Sequence, residues 1–250
     1  MKKLFNKTVI SHVFIFCLIL ICVLLFPDKG FTSEALSIIA YGDSLTEGCD
    51  VSGYTVCAGW LGGYNYTNNL KALLLENGHS DITVYNHGKG GETTWESVNR
   101  MSYLFALDCN NQTGYILIMH GTNDLFFGIQ MENIKFNLGV MIDKSRAKGL
   151  IPLLATIPPD PDHEWKDIPL MNDYIRQLAQ EKDVILVDQY NFLAPDWDIY
   201  TNPQGCYNDR LHPNRSGFDA IGYLWYENLS ELLPKKHILP GLMLLLHSAH

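Results

Sequence analysis

Gly42-Asp43-Ser44-Leu45 follows the short apolar run Leu36 to Tyr41, and Asp209-x-x-His212 lies near the far end of the chain. A serine hydroxyl barely ionises at neutral pH. A serine nucleophile therefore needs an imidazole to take its proton and a third group to orient that imidazole. The two segments supply all three types, with Ser44 as nucleophile, His212 as base and Asp209 as orienting carboxylate. Two further segments bear on the same chemistry. Gly121-Thr122-Asn123-Asp124 comes directly after the apolar run Tyr115 to Met119, so Asn123 could donate a carboxamide hydrogen to a developing oxyanion. Taken alone, an Asn and an Asp after a strand are turn formers that satisfy backbone groups. The loop Asn86-His87-Gly88-Lys89-Gly90-Gly91-Glu92-Thr93 lacks the glycine order and the Gly-Lys-Ser/Thr ending of nucleotide cradles. Its glycines suit either a plain strand-to-helix turn or one whose N–H groups approach a ligand closely.

The elements that must position these residues are legible in the hydrophobic pattern. Five short apolar segments rich in branched residues, Leu36 to Tyr41, Ile82 to Tyr85, Tyr115 to Met119, Ile151 to Ile157 and Val184 to Val187, read as buried strands. Between and after them, helical spacing covers roughly Tyr66 to Glu76, Thr94 to Leu107, Glu132 to Lys148, Ile168 to Lys182 and Arg215 to Leu233. Asn77-Gly78 and Lys148-Gly149 carry glycines where helix C-terminal caps need them. Alternating strands and helices imply a parallel sheet covered on both faces, a three-layer α/β class. In such a sheet, binding chemistry gathers at the carboxyl ends of the strands. Ser44, the Gly88 to Gly91 loop and Asn123 follow the first three strands, and His212 lies after the fifth.

Composition bounds the rest. The chain has 250 residues, 47% apolar, which is enough for one substantial core, and there is no repeat, low-complexity tract or linker. Residues 36 to 234 hold 12 Lys and Arg against 25 Asp and Glu, a balance of -13, which argues against nucleic acid. Positive charge sits at the termini. Lys2, Lys3 and Lys7 precede an apolar stretch from Val9 to Phe26, the layout of an export signal. Residues 1–35 thus read as a signal peptide, with Ser33-Glu34-Ala35 as cleavage site, or as a retained anchor that associates the protein with a membrane. A lipidated Cys22 is disfavoured because Ile21 stands where a small residue belongs. Each version exports the domain 36–234, making it periplasmic, secreted or anchored facing outward. Cys49, Cys57, Cys109 and Cys206 suit an oxidising compartment; Cys49 with Cys57 is the favoured pair among the three pairings four cysteines allow. No zinc spacing is present. The tail 235–250 is apolar but too short to span a bilayer, so it packs on the domain or touches a membrane surface.

With these residues in view, the chain resembles the SGNH, or GDSL, hydrolases, a family of esterases and lipases. Four blocks match in the family's order: Gly42-Asp43-Ser44-Leu45, Gly91 within Asn86-x-Gly88-x-x-Gly91, Gly121-Thr122-Asn123-Asp124, and Asp209-Arg210-Leu211-His212-Pro213. The resemblance runs from about residue 36 to 233. It implies a three-layer α/β/α, flavodoxin-like fold with a parallel sheet of about five strands. It also implies that Ser44, His212 and Asp209 form a triad, and that the oxyanion is held by the N–H groups of Ser44 and Gly91 and by the Asn123 side chain. No cofactor or metal enters such a reaction. Around Ser44 there is no Gly-x-Ser-x-Gly, and Asp209 stands three residues from His212, unlike the common α/β-hydrolases.

Asp43 and Asp124 read as structural, bonding neighbouring backbone N–H groups, and His87 and His120 as core residues. Asp160-Pro161-Asp162-His163-Glu164 has a cation site's composition but reads better as an exposed loop. Tyr54, Trp60, Tyr64, Tyr66, Phe126, Phe127 and the segment Pro158 to Trp165 could wall an acyl chain or stack on a sugar, or belong to the core. Gly62-Gly63-Tyr64 resembles family members acting on acetylated carbohydrates. The expected substrate is a small-molecule, glycan or lipid ester. Two other functions compete with the esterase: a non-catalytic envelope binding protein on the same fold, against which the four intact groups speak, and a metal-dependent phosphoesterase.

Overall fold

The computed structural model describes residues 36–48, 63–107, 114–201 and 209–234. The expected leader 1–35, the tail 235–250, all six cysteines with the Cys49–Cys57 pair, Tyr54 and Trp60 lie outside the described residues. In chain order, β1 (Ser37–Gly42) runs into a one-turn helix, α1 (Ser44–Glu47). Then come α2 (Tyr66–Glu76), β2 (Thr83–Gly88), α3 (Thr94–Leu107), β3 (Gly114–Met119) and a short α4 (Thr122–Phe126). The remainder is α5 (Met131–Ala147), β4 (Leu150–Ala155), a 3-10 helix at Pro161–Lys166, α6 (Ile168–Glu181), β5 (Ile185–Val187), α7 (Gln189–Leu193), a second 3-10 helix at Ala194–Asp196, α8 (Trp197–Thr201) and α9 (Arg215–Ser230).

The five strands form one parallel sheet in the order β2-β1-β3-β4-β5. This is the expected three-layer α/β/α arrangement with flavodoxin-like strand order. Side chains alternate across a strand, and the two faces sort accordingly. Ile38 and Ala40 of β1 and Leu117 and Met119 of β3 join Leu70 and Leu74 of α2 and Phe218, Ile221 and Trp225 of α9 in one apolar cluster. Ile39 and Tyr41 of β1 and Ile116 and Ile118 of β3 join Met101 of α3, Leu138 and Ile142 of α5, and Met171 and Ile175 of α6 in the other. The central strands β1 and β3 are buried along their whole length, as strands covered on both faces must be.

Local chemistry sets the helix ends. Asn65 accepts from Thr67 N at 3.0 Å while the Asn68 side chain accepts from Asn65 N at 2.9 Å, a reciprocal box that starts α2. Gly78 (φ 84°) and Gly149 (φ 78°) leave α2 and α5 in the left-handed conformation, as their positions predict. The expected boundaries hold to within a few residues; β2 runs on to Gly88 and α9 ends at Ser230. The helices α1, α4, α7 and α8 are too short to leave a periodic signal. No helix among the described residues is long and apolar enough to cross a membrane.

Candidate active site

Register brings the first three blocks together. Gly42, the last residue of β1, pairs with Gly88 on β2 and Met119 on β3, so the segments leaving these three strands depart side by side. Close approach explains two glycines. A Cβ on Gly42 would sit 2.7 Å from Met119 O and 1.9 Å from Thr46 Oγ1, and one on Gly88 would sit 2.0 Å from Glu47 N. Without side chains there, α1 can tuck against the sheet end. Asp43 caps α1, accepting from Leu45 N at 3.0 Å, and Ser44 begins the helix. Asn86 donates to Thr46 O at 2.7 Å and accepts from Gly88 N at 2.9 Å, while Gly90 N donates to Glu47 Oε2 at 2.8 Å. A Cβ built on Gly90 would lie 3.8 Å from Ser44 Cβ, so the glycine loop runs beside the serine. Gly91 has φ 75°, in the region that favours glycine.

The Asp209–His212 segment is held from three sides. Trp197 Nε1 donates to Arg210 O at 2.7 Å. Arg210 donates from N and Nε to Asp162 at 2.9 and 2.8 Å. Asn214, the cap of α9, donates from its backbone N to Tyr200 O at 2.6 Å. Within the segment, Asp209 Oδ1 accepts from Leu211 N (3.1 Å) and His212 N (2.8 Å), and Asp209 Oδ2 lies 2.9 Å from His212 Nδ1. His212 Nε2 in turn lies 3.0 Å from Ser44 Oγ, across 168 residues of sequence. The three predicted groups are thus in one hydrogen-bonded line.

Asn123 sits in α4, and its Nδ2 donates to Glu92 O at 3.1 Å. The asparagine block is therefore tied to the residue that follows Gly91. Thr94 adds a second tie, giving Asp124 its backbone N–H at 2.8 Å and its hydroxyl at 2.5 Å. Asp124 is structural, as expected, but its partner is 30 residues distant and not a neighbouring N–H. Gly121 (φ 122°) lets the chain turn into α4 beneath Ile157.

The electrostatics differ among the carboxylates. Burial pushes Asp209 up, but the hydrogen bonds from His212 and Leu211 outweigh it and hold its pKa below the usual aspartate range. Asp209 is therefore ionised at neutral pH. Burial dominates at Asp43 and raises it to about 7, against the lowering effects of Leu45 N–H and nearby His212. His120 is buried as anticipated; its desolvation lowers its pKa to about 3, so the ring is neutral.

Other expectations need correction. Asp160 is not on an exposed loop: its side chain is buried and accepts from Lys166 Nζ at 2.5 Å and from His163 Nδ1 at 3.0 Å, because the segment folds into a 3-10 turn. Among the described residues, no group of three or more His, Cys, Asp or Glu side chains is arranged to hold a metal ion. Phe126 meets Phe127, His163 and Trp165 with ring centroids 5.5 to 6.1 Å apart, so the two aromatic segments form one largely exposed cluster. Tyr66 is core. Sequence reading passed over Glu92, Ser97 and Arg100, which lie buried or half-buried behind the glycine loop. The available signal was a Ser97–Arg100 spacing that puts both side chains on one face of α3, next to a glutamate ahead of the helix.

The architecture is thus a flavodoxin-like α/β/α parallel sheet with a serine and a histidine converging at its carboxyl edge. Residues 40–220 match the GDSL-like Lipase/Acylhydrolase family, and the chain belongs to it. It is 25% identical over 201 residues, 80% of this chain and 86% of the other, to Thioesterase 1/protease 1/lysophospholipase L1 of Escherichia coli strain K12. Among solved structures it is similar to a lipase/acylhydrolase from Enterococcus faecalis (TM-score 0.66, 19% identity, 81% of this chain and 100% of that one). It is also similar to the acetyl xylan esterase AlAXEase (TM-score 0.57, 22% identity, 77% and 98%). The likeness to these structures is one of fold. Membership places the protein among the hydrolases of this lipase/acylhydrolase family.

Proposed function

We propose that the protein is an exported serine esterase that cleaves carboxylic esters through an acyl-enzyme intermediate. The observation that carries this reading is the 3.0 Å contact between Ser44 Oγ and His212 Nε2, continued by the 2.9 Å contact from His212 Nδ1 to Asp209. Ser44 Oγ attacks the ester carbonyl as its proton passes to His212 Nε2. Asp209 remains ionised, keeps the Nδ1 proton in place and stabilises the imidazolium that forms. The charge that develops on the carbonyl oxygen is met by the N–H groups of Ser44 and Gly91 and by Asn123 Nδ2, each worth about 10²–10³ in rate. His212 then protonates the departing alcohol, and a water repeats the sequence to release the acid.

The acyl group is the shared substrate feature, because the E. coli relative is named a thioesterase and lysophospholipase and one structural neighbour an acetyl xylan esterase. Thioesters are therefore within reach alongside oxygen esters. Export is supported by the lysines and apolar stretch at the N-terminus. The test is hydrolysis of p-nitrophenyl acetate by the wild-type protein and by Ser44→Ala, with and without a chelator. Wild-type turnover that survives chelation and falls by about 10⁶ in Ser44→Ala is expected. Equal rates in the two proteins would exclude the serine mechanism, and a chelator-sensitive rate would favour a metal-dependent esterase.

A further inference from the structure

Behind the glycine loop is a buried polar chain that the proposed reaction does not use. The Glu92 side chain is 1% exposed and takes Arg100 Nε at 2.7 and 2.9 Å and Arg100 Nη2 at 2.5 Å. Arg100 Nη1 also donates to His87 O at 3.1 Å, and the guanidinium lies 4.4 Å over the Tyr41 ring. One side chain thus grips β1, β2 and the loop between β2 and α3. Ser97 Oγ donates to the same Glu92 carboxylate and lies 2.7 Å from His120 Nε2. Having given its only proton to Glu92, Ser97 can only accept from His120, which fixes the Nε2–H tautomer of that ring. Tyr41 OH donates to Ser97 O at 2.6 Å. The chain runs from His120, just before the asparagine block, to Glu92, just after Gly91.

The Glu92 peptide carbonyl is the acceptor of Asn123 Nδ2. A carboxamide has two N–H bonds; anchoring one on Glu92 O fixes the direction of the other. Gly91 has φ 75°, and among the described residues no atom lies within 4 Å of where a Cβ would stand; the turn is tied ahead of it by Gly90 N to Glu47 Oε2 at 2.8 Å and after it by the clamp on Glu92. Resting on the esterase reading, we propose that Glu92 is a positioning residue: its ion pair with Arg100 and its bond from Ser97 hold the Gly91 amide and the Asn123 carboxamide as a preformed oxyanion site. A buried carboxylate is costly to desolvate, and a fully partnered one is held in a single geometry. Preorganised donors of that kind favour the transition state over the ground state.

The experiment compares Glu92→Gln, Arg100→Lys, Asn123→Ala and the Glu92→Gln/Asn123→Ala double variant on p-nitrophenyl acetate. Folded active sites are counted by the p-nitrophenol burst with diethyl p-nitrophenyl phosphate, so that partial unfolding does not lower the apparent kcat. Because Glu92→Gln removes the negative charge opposite Arg100, Arg100→Lys, which keeps the ion pair's charges but not the three-way grip, serves where Gln does not fold. We expect kcat per site to fall about tenfold to a hundredfold in either single variant, with KM within about twofold, and by about 10²–10³ in Asn123→Ala. In the Asn123→Ala background, Glu92→Gln should cost less than it does in the wild type, since one of the two donors it holds is gone and only the Gly91 amide remains to be misplaced. Unchanged kcat per site in both single variants, or losses that multiply in full in the double variant, would overturn the positioning role while leaving the esterase standing. Wild-type turnover no better than Ser44→Ala would remove the esterase reading and the proposal together.

Discussion

Replacing Asp209 by Asn tests the proposed triad more sharply than removing it, because the structure dictates how the amide must sit. Asp209 Oδ1 accepts two backbone N–H groups, Leu211 at 3.1 Å and His212 at 2.8 Å, while Oδ2 alone faces His212 Nδ1 at 2.9 Å. An asparagine keeps only one acceptor oxygen, and the two backbone donors hold it at the Oδ1 position. Its Nδ2 then points at His212 Nδ1, where two N–H groups cannot coexist. The imidazole must move its proton to Nε2, which faces Ser44 Oγ at 3.0 Å, and so loses the lone pair that would take the serine proton. General-base assistance is worth about 10²–10⁴. Loss of the negative charge beside the imidazolium adds to this, so kcat/KM should fall about 10³–10⁴, or about 4–5.5 kcal/mol. The assay is p-nitrophenyl acetate hydrolysis, with thermal unfolding to establish that the loop is intact. A loss under about tenfold, ~1.4 kcal/mol, in a folded variant would refute the reasoning. Stability adds a second readout. With its pKa held down in the folded state, Asp209 stabilises the fold above the ordinary aspartate range and loses that contribution as pH falls through its lowered value. The wild type's stability margin over Asp209→Asn should therefore shrink in acid.

Asp43 should behave in the opposite sense. Its folded pKa of about 7 exceeds the unfolded value of about 3.9, so its contribution to stability declines as pH rises between the two. Asp43→Asn keeps the acceptor for Leu45 N and cannot ionise, so its melting temperature relative to wild type should rise from pH 4 to pH 7, as followed by scanning calorimetry; an offset independent of pH would contradict the assignment. Lys166→Met should destabilise the fold by about 3–5 kcal/mol, because it takes the ammonium away from the buried Asp160 carboxylate and leaves it to His163, and adding Asp160→Asn should recover part of the loss. Urea unfolding measures both, and a single variant within about 0.5 kcal/mol of wild type would count against that pair.

Where sequence succeeded, the signal was periodic or local. The strands are continuous apolar runs because both faces are covered, and the long helices carry stripes that meet those faces, so class and element order were readable. Ser44, Asp209 and His212 could be proposed from residue type and from their place beside a strand end or helix start; the glycine loop and Asn123 read alone were equally good turns, and Gly91 was singled out by the resemblance of its block to the GDSL family. The one-turn helices holding Ser44 and Asn123 were not readable, since their caps and tertiary ties, not periodicity, make them helical. The burial of Asp160 and the Glu92–Arg100 clamp were missed for a related reason. Charged residues read as solvated until a fold supplies partners from distant segments, here Lys166 for one and an entire helix face for the other.

The strand order explains why the site forms where it does. From β1 the chain steps outward to β2, then crosses back over β1 to β3 and continues to β4 and β5. With right-handed crossovers, reversing direction moves the connecting helix to the opposite face. Accordingly α2 packs with one apolar cluster, and α3, α5 and α6 with the other. The segments leaving β1, β2 and β3 start side by side and continue into helices on opposite faces, the arrangement that places a binding crevice at the carboxyl end of β1 in sheets of this kind. Ser44 is two residues beyond that end, Gly91 three beyond β2 and Asn123 four beyond β3. The last helix, α9, returns to the α2 face, and the Asp209–His212 segment precedes it. A base on this return segment can reach a nucleophile at β1 because β1 lies at the reversal. Moving the same four blocks to β4 and β5, where successive helices share a face, would leave no crevice for them to line.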